Sequence, residues 1–207
     1  MSESVRKRVQ ANNLTTDRKM RIGHDDVKLC LYDRRWEAAF MEERDFLLNL
    51  LEDGSGLHPQ IYHVGSTSIH GMTGKPIIDF LLLLPTEQEV EDSLSILVHD
   101  AEYFFLGDGD RPGRYFLSYD EDVFPFYLHV TTPENQVAKD QLRFKEILQN
   151  SNEIMCDYIS IKQQAAEKYP NARTKYRILK GFFIDAVLRA YDMGLADQGQ
   201  KANTEHR

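Results

Sequence analysis

From Trp36 to Leu51 the apolar positions Trp36, Ala39, Phe40, Leu47, Leu50 and Leu51 fall on one face of a helix, and Gly54 marks its expected end. The period then changes. "QIYHV" (60–64) reads as a short strand. "PIIDFLLLL" (76–84) reads as a second strand, so continuously apolar that both of its faces must be covered. Thr86 and Glu89 form a capping box that opens a helix carrying Val90, Leu94, Leu97 and Val98. "AEYFFL" and "RYFLSY" flank the turn-rich "GDGDRPG". In "DVFPFYLHVTT", Phe124, Phe126, Leu128 and Val130 alternate with Tyr127 and His129, as in strands of an antiparallel portion. From Pro133 onward the helical period returns in three blocks, with breaks near Asn150 and at Pro170: Val137 to Leu148, Ile154 to Ala165, and Tyr176 to Val187.

Strands first and helices last predict an α/β protein of the mixed α+β kind: a mixed sheet with flanking helices and a helical C-terminal part from about residue 133. Residues 1–23 and 194–207 are polar and aperiodic and are expected to be flexible tails, leaving one domain at 24–193. The formal net charge of -8 argues against a broad nucleic-acid surface, whereas a small anionic ligand needs only a local cluster of cations. The N-terminus lacks an apolar leader, and "FLLLL" is too short to span a bilayer, so a cytoplasmic protein without a membrane partner is expected. Cys30 and Cys156 have neither metal spacing nor a disulfide framework, and each is expected to be a small buried apolar residue in a reducing setting. No signal of oligomeric state is present.

Asp79 sits inside the most apolar strand. A buried carboxylate requires a partner, which would be a hydrogen-bond network, a neighbouring cation or a metal ion. Gly65 and Ser66 follow the strand "QIYHV", and Gly-Ser at a helix start is a place where backbone N–H groups and a hydroxyl hold a phosphate; Ser66 would equally cap such a helix with no ligand. Two stronger phosphate and nucleophile motifs fail. Lys75 is followed by Pro76 and Ile69 stands where a P-loop needs its first glycine, while Thr67 occupies the middle of the would-be hydrolase elbow.

The other candidates each have a functional and a structural reading. Asp79 is a metal ligand, a general base or half of an ion pair. His129 lies on the parity opposite to its apolar neighbours and would meet Asp79 if the two strands adjoin; otherwise it is an interior histidine. Lys75 reaches the pocket mouth or is a solvated loop cation. Arg114, opening a strand, clamps a phosphate or carboxylate or forms a surface salt bridge. Lys180, among Tyr176, Leu179, Phe182 and Phe183, is drawn inward or snorkels to solvent. Trp36, Tyr32 and Phe40 are expected in the core, and His63 and His70 are read as structural.

The stretch "HVGSTSIHGMTGKPIID" resembles the signature of the GrpB-like family, a branch of the nucleotidyltransferase superfamily. "LYDRRWEAAFMEE", "PGRYFL", "YLHV", "RFKEIL", "AAEKYP" and "YRILKGFFI" extend the resemblance from about Val27 to about Ala190. It implies a nucleotidyltransferase-like fold binding a nucleotide or other phosphorylated small molecule, with transfer of a nucleotidyl group to a small acceptor. Gly65, Ser66 and Thr67 would then hold phosphates. Asp79, and His129 as ligand or proton acceptor, would serve catalysis and a divalent metal, Mg²⁺ or Mn²⁺; Lys75, Arg114 and Lys180 would offset anionic charge. The sequence departs from the superfamily pattern where Leu81 replaces the second carboxylate of an Asp-x-Asp pair and His129 stands in place of the third. That departure favours a different reading: a non-catalytic binding or accessory module near nucleotide or coenzyme A metabolism, in keeping with family members fused to dephospho-coenzyme A kinase. A metal-dependent hydrolase using Asp79 and His129 is a further alternative.

Overall fold

The computed structural model describes residues 26–108, 111–120 and 123–194. The tails expected at 1–23 and 194–207 lie outside these residues, Gly194 excepted. Helix α1 (Arg35–Ser55) begins where the Asp33 carboxylate accepts from the Arg35 N–H at 2.9 Å. It continues past Gly54 because Gly56, at φ 71, is the residue that takes the left-handed conformation closing the helix. Strands β1 (Gln60–Val64) and β2 (Ile78–Leu83) follow, then helix α2 (Glu87–His99), whose capping box is present in both halves. Strands β3 (Phe104–Phe105), β4 (Arg114–Tyr119) and β5 (Phe126–Thr131) precede the helices α3 (Gln136–Asn150), α4 (Asn152–Lys168) and α5 (Arg173–Asp192). Breaks at Ser151, which caps α4 by accepting from Ile154 N–H, and around Pro170 match the expected boundaries.

Among the described residues five strands form one sheet in the order β1-β2-β5-β4-β3. Only the central β2-β5 pair is parallel, and α2 provides part of its crossover. The expected mixed α+β architecture with a helical C-terminal part is therefore borne out.

Alternation splits the sheet residues between two faces. Ile78, Phe80, Leu82, Leu117, Phe126, Leu128 and Val130 pack under α1 and α2 together with Trp36, Phe40, Leu47, Leu51, Val90 and Leu97. On the opposite face Val64, Leu81 and Leu83 are covered by Ala138 and Leu142 of α3. The loop between β1 and β2 contributes Ile69 and Met72 to a separate cluster with Phe144, Ile147, Leu148, Tyr158 and Leu188, so it is anchored in the C-terminal helices. Residue 30 joins the same loop through a two-way backbone bridge with Gly74. Cys156 is exposed, contrary to expectation, because α4 turns it away from the helical cluster; Cys30 is half-buried and its thiol donates to the Gly74 carbonyl at 3.4 Å. No helix among the described residues is long and apolar enough to cross a membrane.

Candidate anion site

β1 ends at Gly65 with φ 71 and ψ -174, a region of backbone space essentially reserved for glycine. A Cβ there would lie 2.3 Å from Asp79 Oδ2, so the turn rests directly on the β2 carboxylate. This pairing follows from the register, in which Val64 stands opposite Asp79. Next comes a single 3-10 turn, Ser66–Ser68, in place of the expected helix start, and Ser66 caps nothing. Its hydroxyl instead accepts from Lys162 Nζ at 3.1 Å. Lys162, only 1% exposed, also donates to the Thr73 carbonyl and lies 4.5 Å from the Tyr158 ring centroid. Gly74 closes the loop on itself, since a Cβ there would come within 2.8 Å of Ser66 Cβ. Thr67, expected at a phosphate, turns its hydroxyl inward: it donates to the Ile77 carbonyl at 2.9 Å and lies 3.0 Å from His63 Nε2. His63 stacks on Phe40 and is structural, as expected, and His70 lies against Tyr32. Trp36 and Phe40 are core residues.

Asp79 is densely surrounded yet retains some exposure to solvent. Burial raises its pKa to about 6, opposed by the charges of Lys180, Lys75 and Arg173. Among the described residues none forms a hydrogen bond or ion pair with it. The partner that the sequence demanded is thus a set of cations at a distance. Lys75 is pulled down to about 8 by burial and by Arg173, Lys180 and Arg177, with Asp79 pushing the other way. Lys180 is likewise lowered by burial and by Arg177 and Arg173, while Asp79 supports its charge. Arg173, Arg177 and Lys180 are spaced i, i+4 and i+7 on α5, one stripe of the helix. Arg173 Nη2 donates to the Tyr127 hydroxyl at 2.7 Å, and Tyr127 is the residue opposite Asp79 on β5.

His129 shares the Asp79 face, but the parallel register places it opposite Leu81, and it makes no contact with Asp79. Its ring stacks on Phe116 at 5.0 Å and its Nδ1 lies 3.5 Å from Arg114 Nη1. Burial, with Arg114, Arg111 and Lys180, lowers its pKa to about 3, which keeps the imidazole neutral. Arg114 is 7% exposed, so it is an interior guanidinium and not half of a surface salt bridge. The expected Asp79 and His129 metal pair is not assembled. Among the described residues no group of three His, Cys, Asp or Glu side chains could hold a metal ion. A lone carboxylate among cations is a poor donor set for Mg²⁺ or Mn²⁺, which favour several hard oxygen ligands.

Lys75, Asp79, Lys180, Gly65 and Ser66 are brought together; Arg114 and His129 form a neighbouring pair. The sequence reading missed Lys162, Arg173 and Arg177. Their signals were present: Lys162 lies four residues after Tyr158 and three before Ala165 on the apolar stripe of α4, and the α5 cations repeat at helical spacing.

A mixed α+β sheet whose one polar face gathers cations around a glycine turn is the class of protein defined by this fold and site. A family model described as GrpB protein matches residues 26–190, and the chain belongs to the GrpB family. It is 26% identical over 171 residues to the glutamate-rich protein GrpB of Alkalihalophilus pseudofirmus, covering 81% of this chain and 97% of that one. The crystal structure of GrpB from Enterococcus faecalis shares the fold, with a TM-score of 0.66 at 24% identity over 79% of this chain and 99% of the other. A looser likeness is to Cid1, described for its RNA terminal uridylyl transferase activity: TM-score 0.47, 13% identity, 66% of this chain and 42% of that one. At that score it decides nothing about chemistry here.

Proposed function

We propose that the protein binds a small molecule through its phosphate groups, a nucleotide or a close relative, at the cations facing Gly65 and Asp79. The observation that carries this reading is the imbalance of the site: one carboxylate against Lys75, Arg173, Arg177 and Lys180, none of them ion-paired with it. Lys75 and Lys180 are partly desolvated and lack a matching number of anions, so they favour an incoming one, with half-buried Arg173 and exposed Arg177 adding to the field. The Gly65 turn, lacking a Cβ, closes directly on the Asp79 carboxylate, and Lys162 holds the Ser66 hydroxyl at the edge of that turn. Asp79 acts in this reading as a resident counter-charge, lowering mutual repulsion of the cations until a ligand replaces it.

The test is a calorimetric titration with ATP, GTP, CTP and UTP, each with and without Mg²⁺, on the wild type and on Asp79→Asn. Binding without metal that tightens in Asp79→Asn is the expected result, since among the described residues the substitution removes the one anion acting on Lys75 and Lys180. No binding of any nucleotide overturns the proposal. Metal-dependent binding that Asp79→Asn abolishes would replace it with the nucleotidyl transfer implied by the family resemblance.

A further inference from the structure

Beyond the Asp79 end, the same sheet face carries a second group of polar side chains that the fold leaves unsatisfied. Arg114, Phe116 and Ser118 alternate along β4 and so point to one side, the side of His129 and Tyr127, with which Phe116 and Ser118 are in register. Arg114 is 7% exposed and Ser118 is fully buried. Neither Arg114 Nε nor Ser118 Oγ has a hydrogen-bond partner among the described residues. Buried polar atoms in folded proteins are nearly always satisfied, and a guanidinium more so than most, since it offers five donors in a fork shaped for an oxyanion. The Arg114 guanidinium lies over the Phe116 ring at 5.4 Å, and Phe116 in turn stacks on His129 and meets Tyr127 edge-on at 5.3 Å. The charges acting on Arg114 come from Arg111 and Arg177 on one side and Asp108, on the loop before β4, on the other.

We propose that Arg114 is a second phosphate subsite: the ligand carries one phosphate group on the cations around Asp79 and another on the Arg114 guanidinium, its middle portion crossing Tyr127 and Phe116. This inference rests on the phosphate-binding reading above and narrows it to a molecule phosphorylated at two places. The sheet sets the spacing. β4 and β2 are two strands apart; Arg114 is level with Leu83 through Thr131, four residues beyond Asp79, but its guanidinium leans back over Phe116, which is level with Leu81 through His129, two residues beyond Asp79. The two subsites are therefore separated by roughly 10–12 Å, from strand spacings of about 4.8 Å and a rise of about 3.3 Å per residue. Neutral His129 accepts from Arg114 Nη1 and holds the fork in place; its other side is the aromatic surface.

The experiment compares three probes by calorimetry: ADP, adenosine 3′-phosphate 5′-diphosphate and its 2′-phosphate isomer, on the wild type, Arg114→Gln and Arg114→Lys. On the wild type the better of the two isomers binds at least tenfold more tightly than ADP. In Arg114→Gln that ratio falls below threefold, and Arg114→Lys, which keeps the charge but not the fork, restores part of it. A substitution that merely disturbed the fold would weaken all three probes together and leave the ratio standing. If ADP binds and neither isomer gains on it, or if the gain persists in Arg114→Gln, the second subsite is overturned while the first reading stands. If none of the three binds the wild type, both fall. Should Arg114→Gln fail to fold, as judged by circular dichroism, a ratio in Arg114→Lys equal to that of the wild type overturns the inference.

Discussion

The two faces of the central sheet are made by the same strands, one residue out of step, and have opposite characters. Toward α1 and α2 stand Ile78, Phe80, Leu82, Phe126, Leu128 and Val130, all nearly or fully excluded from solvent. Toward α3, α4 and α5 the same strands present Asp79, Tyr127 and His129, with Arg114, Phe116 and Ser118 beside them. Leu81 and Leu83 share this second face and remain apolar because Ala138 and Leu142 of α3 lie over them. Polarity on this face thus begins beside the stretch that α3 covers with apolar side chains, and part of it, Ser118 and Thr131, is fully buried. A strand with period two can supply a core and a site at once, and β2 does so with a single acidic residue among leucines.

Substitutions on the two faces break or sharpen this contrast. The largest effect is expected from Phe80→Ala on the core face: a loss of about 3–5 kcal/mol in urea denaturation, from buried area removed and a cavity left behind. Gly65→Ala comes next. Its backbone conformation alone costs about 1–3 kcal/mol in a non-glycine residue, and the added Cβ displaces Asp79, so stability and nucleotide affinity fall together. A variant as stable as the wild type would show that the turn is free to move away from β2.

Lys162→Met removes a cation whose folded pKa is about 7, depressed by burial and by Lys180 from a usual value near 10.5. Below pH 7 the lysine is protonated in both folded and unfolded chains. Between about 7 and 10.5 the unfolded chain binds the extra proton, so wild-type stability rises with pH across that window. Lys75, depressed to about 8, adds to the rise in both proteins, while Tyr158 and Tyr176, both raised, oppose it above pH 10. Denaturation midpoints at pH 7 and pH 9 should therefore diverge less in Lys162→Met than in the wild type; equal slopes would remove Lys162 as the titrating group.

The smallest effect is expected at Asp79→Asn, the site-face counterpart of Phe80. Because the folded pKa of Asp79 is raised from 3.8 to about 6, its contribution is full below pH 4 and is lost as the pH rises through 6. At pH 7 the asparagine variant should be no less stable than the wild type, and the difference should vanish on acidification to pH 4. A marked loss of stability at pH 7 would mean that the carboxylate is held in a tight ion pair.

Much of the fold was legible because it is local. The Thr86 and Glu89 capping box, the strand alternation in 126–131 and the helix breaks near Asn150 and Pro170 depend on residues within a few positions of each other. Gly54 competed with Gly56 as the helix end, and only the backbone conformation distinguished them. The site was legible in part. Gly65, Lys75, Asp79 and Lys180, candidates from the sequence, lie together in the structure, but the expected meeting of Asp79 with His129 depended on strand register. A shift of two residues, set by pairing across the sheet, puts Tyr127 there instead. Arg173 and Arg177 resemble any charged helix face until α5 is docked, and Lys162 resembles a solvated lysine until Ser66 and Thr73, roughly ninety residues away in sequence, close on it.

That last contact has a consequence for synthesis. Ser66 and Lys162 are separated by 96 positions, and Val27 is tied to Pro170 by a backbone hydrogen bond. The glycine turn leaves the ribosome long before the helix that fastens it, so during translation the sheet precedes the proposed anion site by several seconds at typical elongation rates. Long-range closure of this kind comes late because its loop entropy must be overcome before any contact repays it. A nascent chain halted ahead of α4 would hold the strands without the lysine that fastens the glycine turn, and by the proposed reading it would capture no ligand.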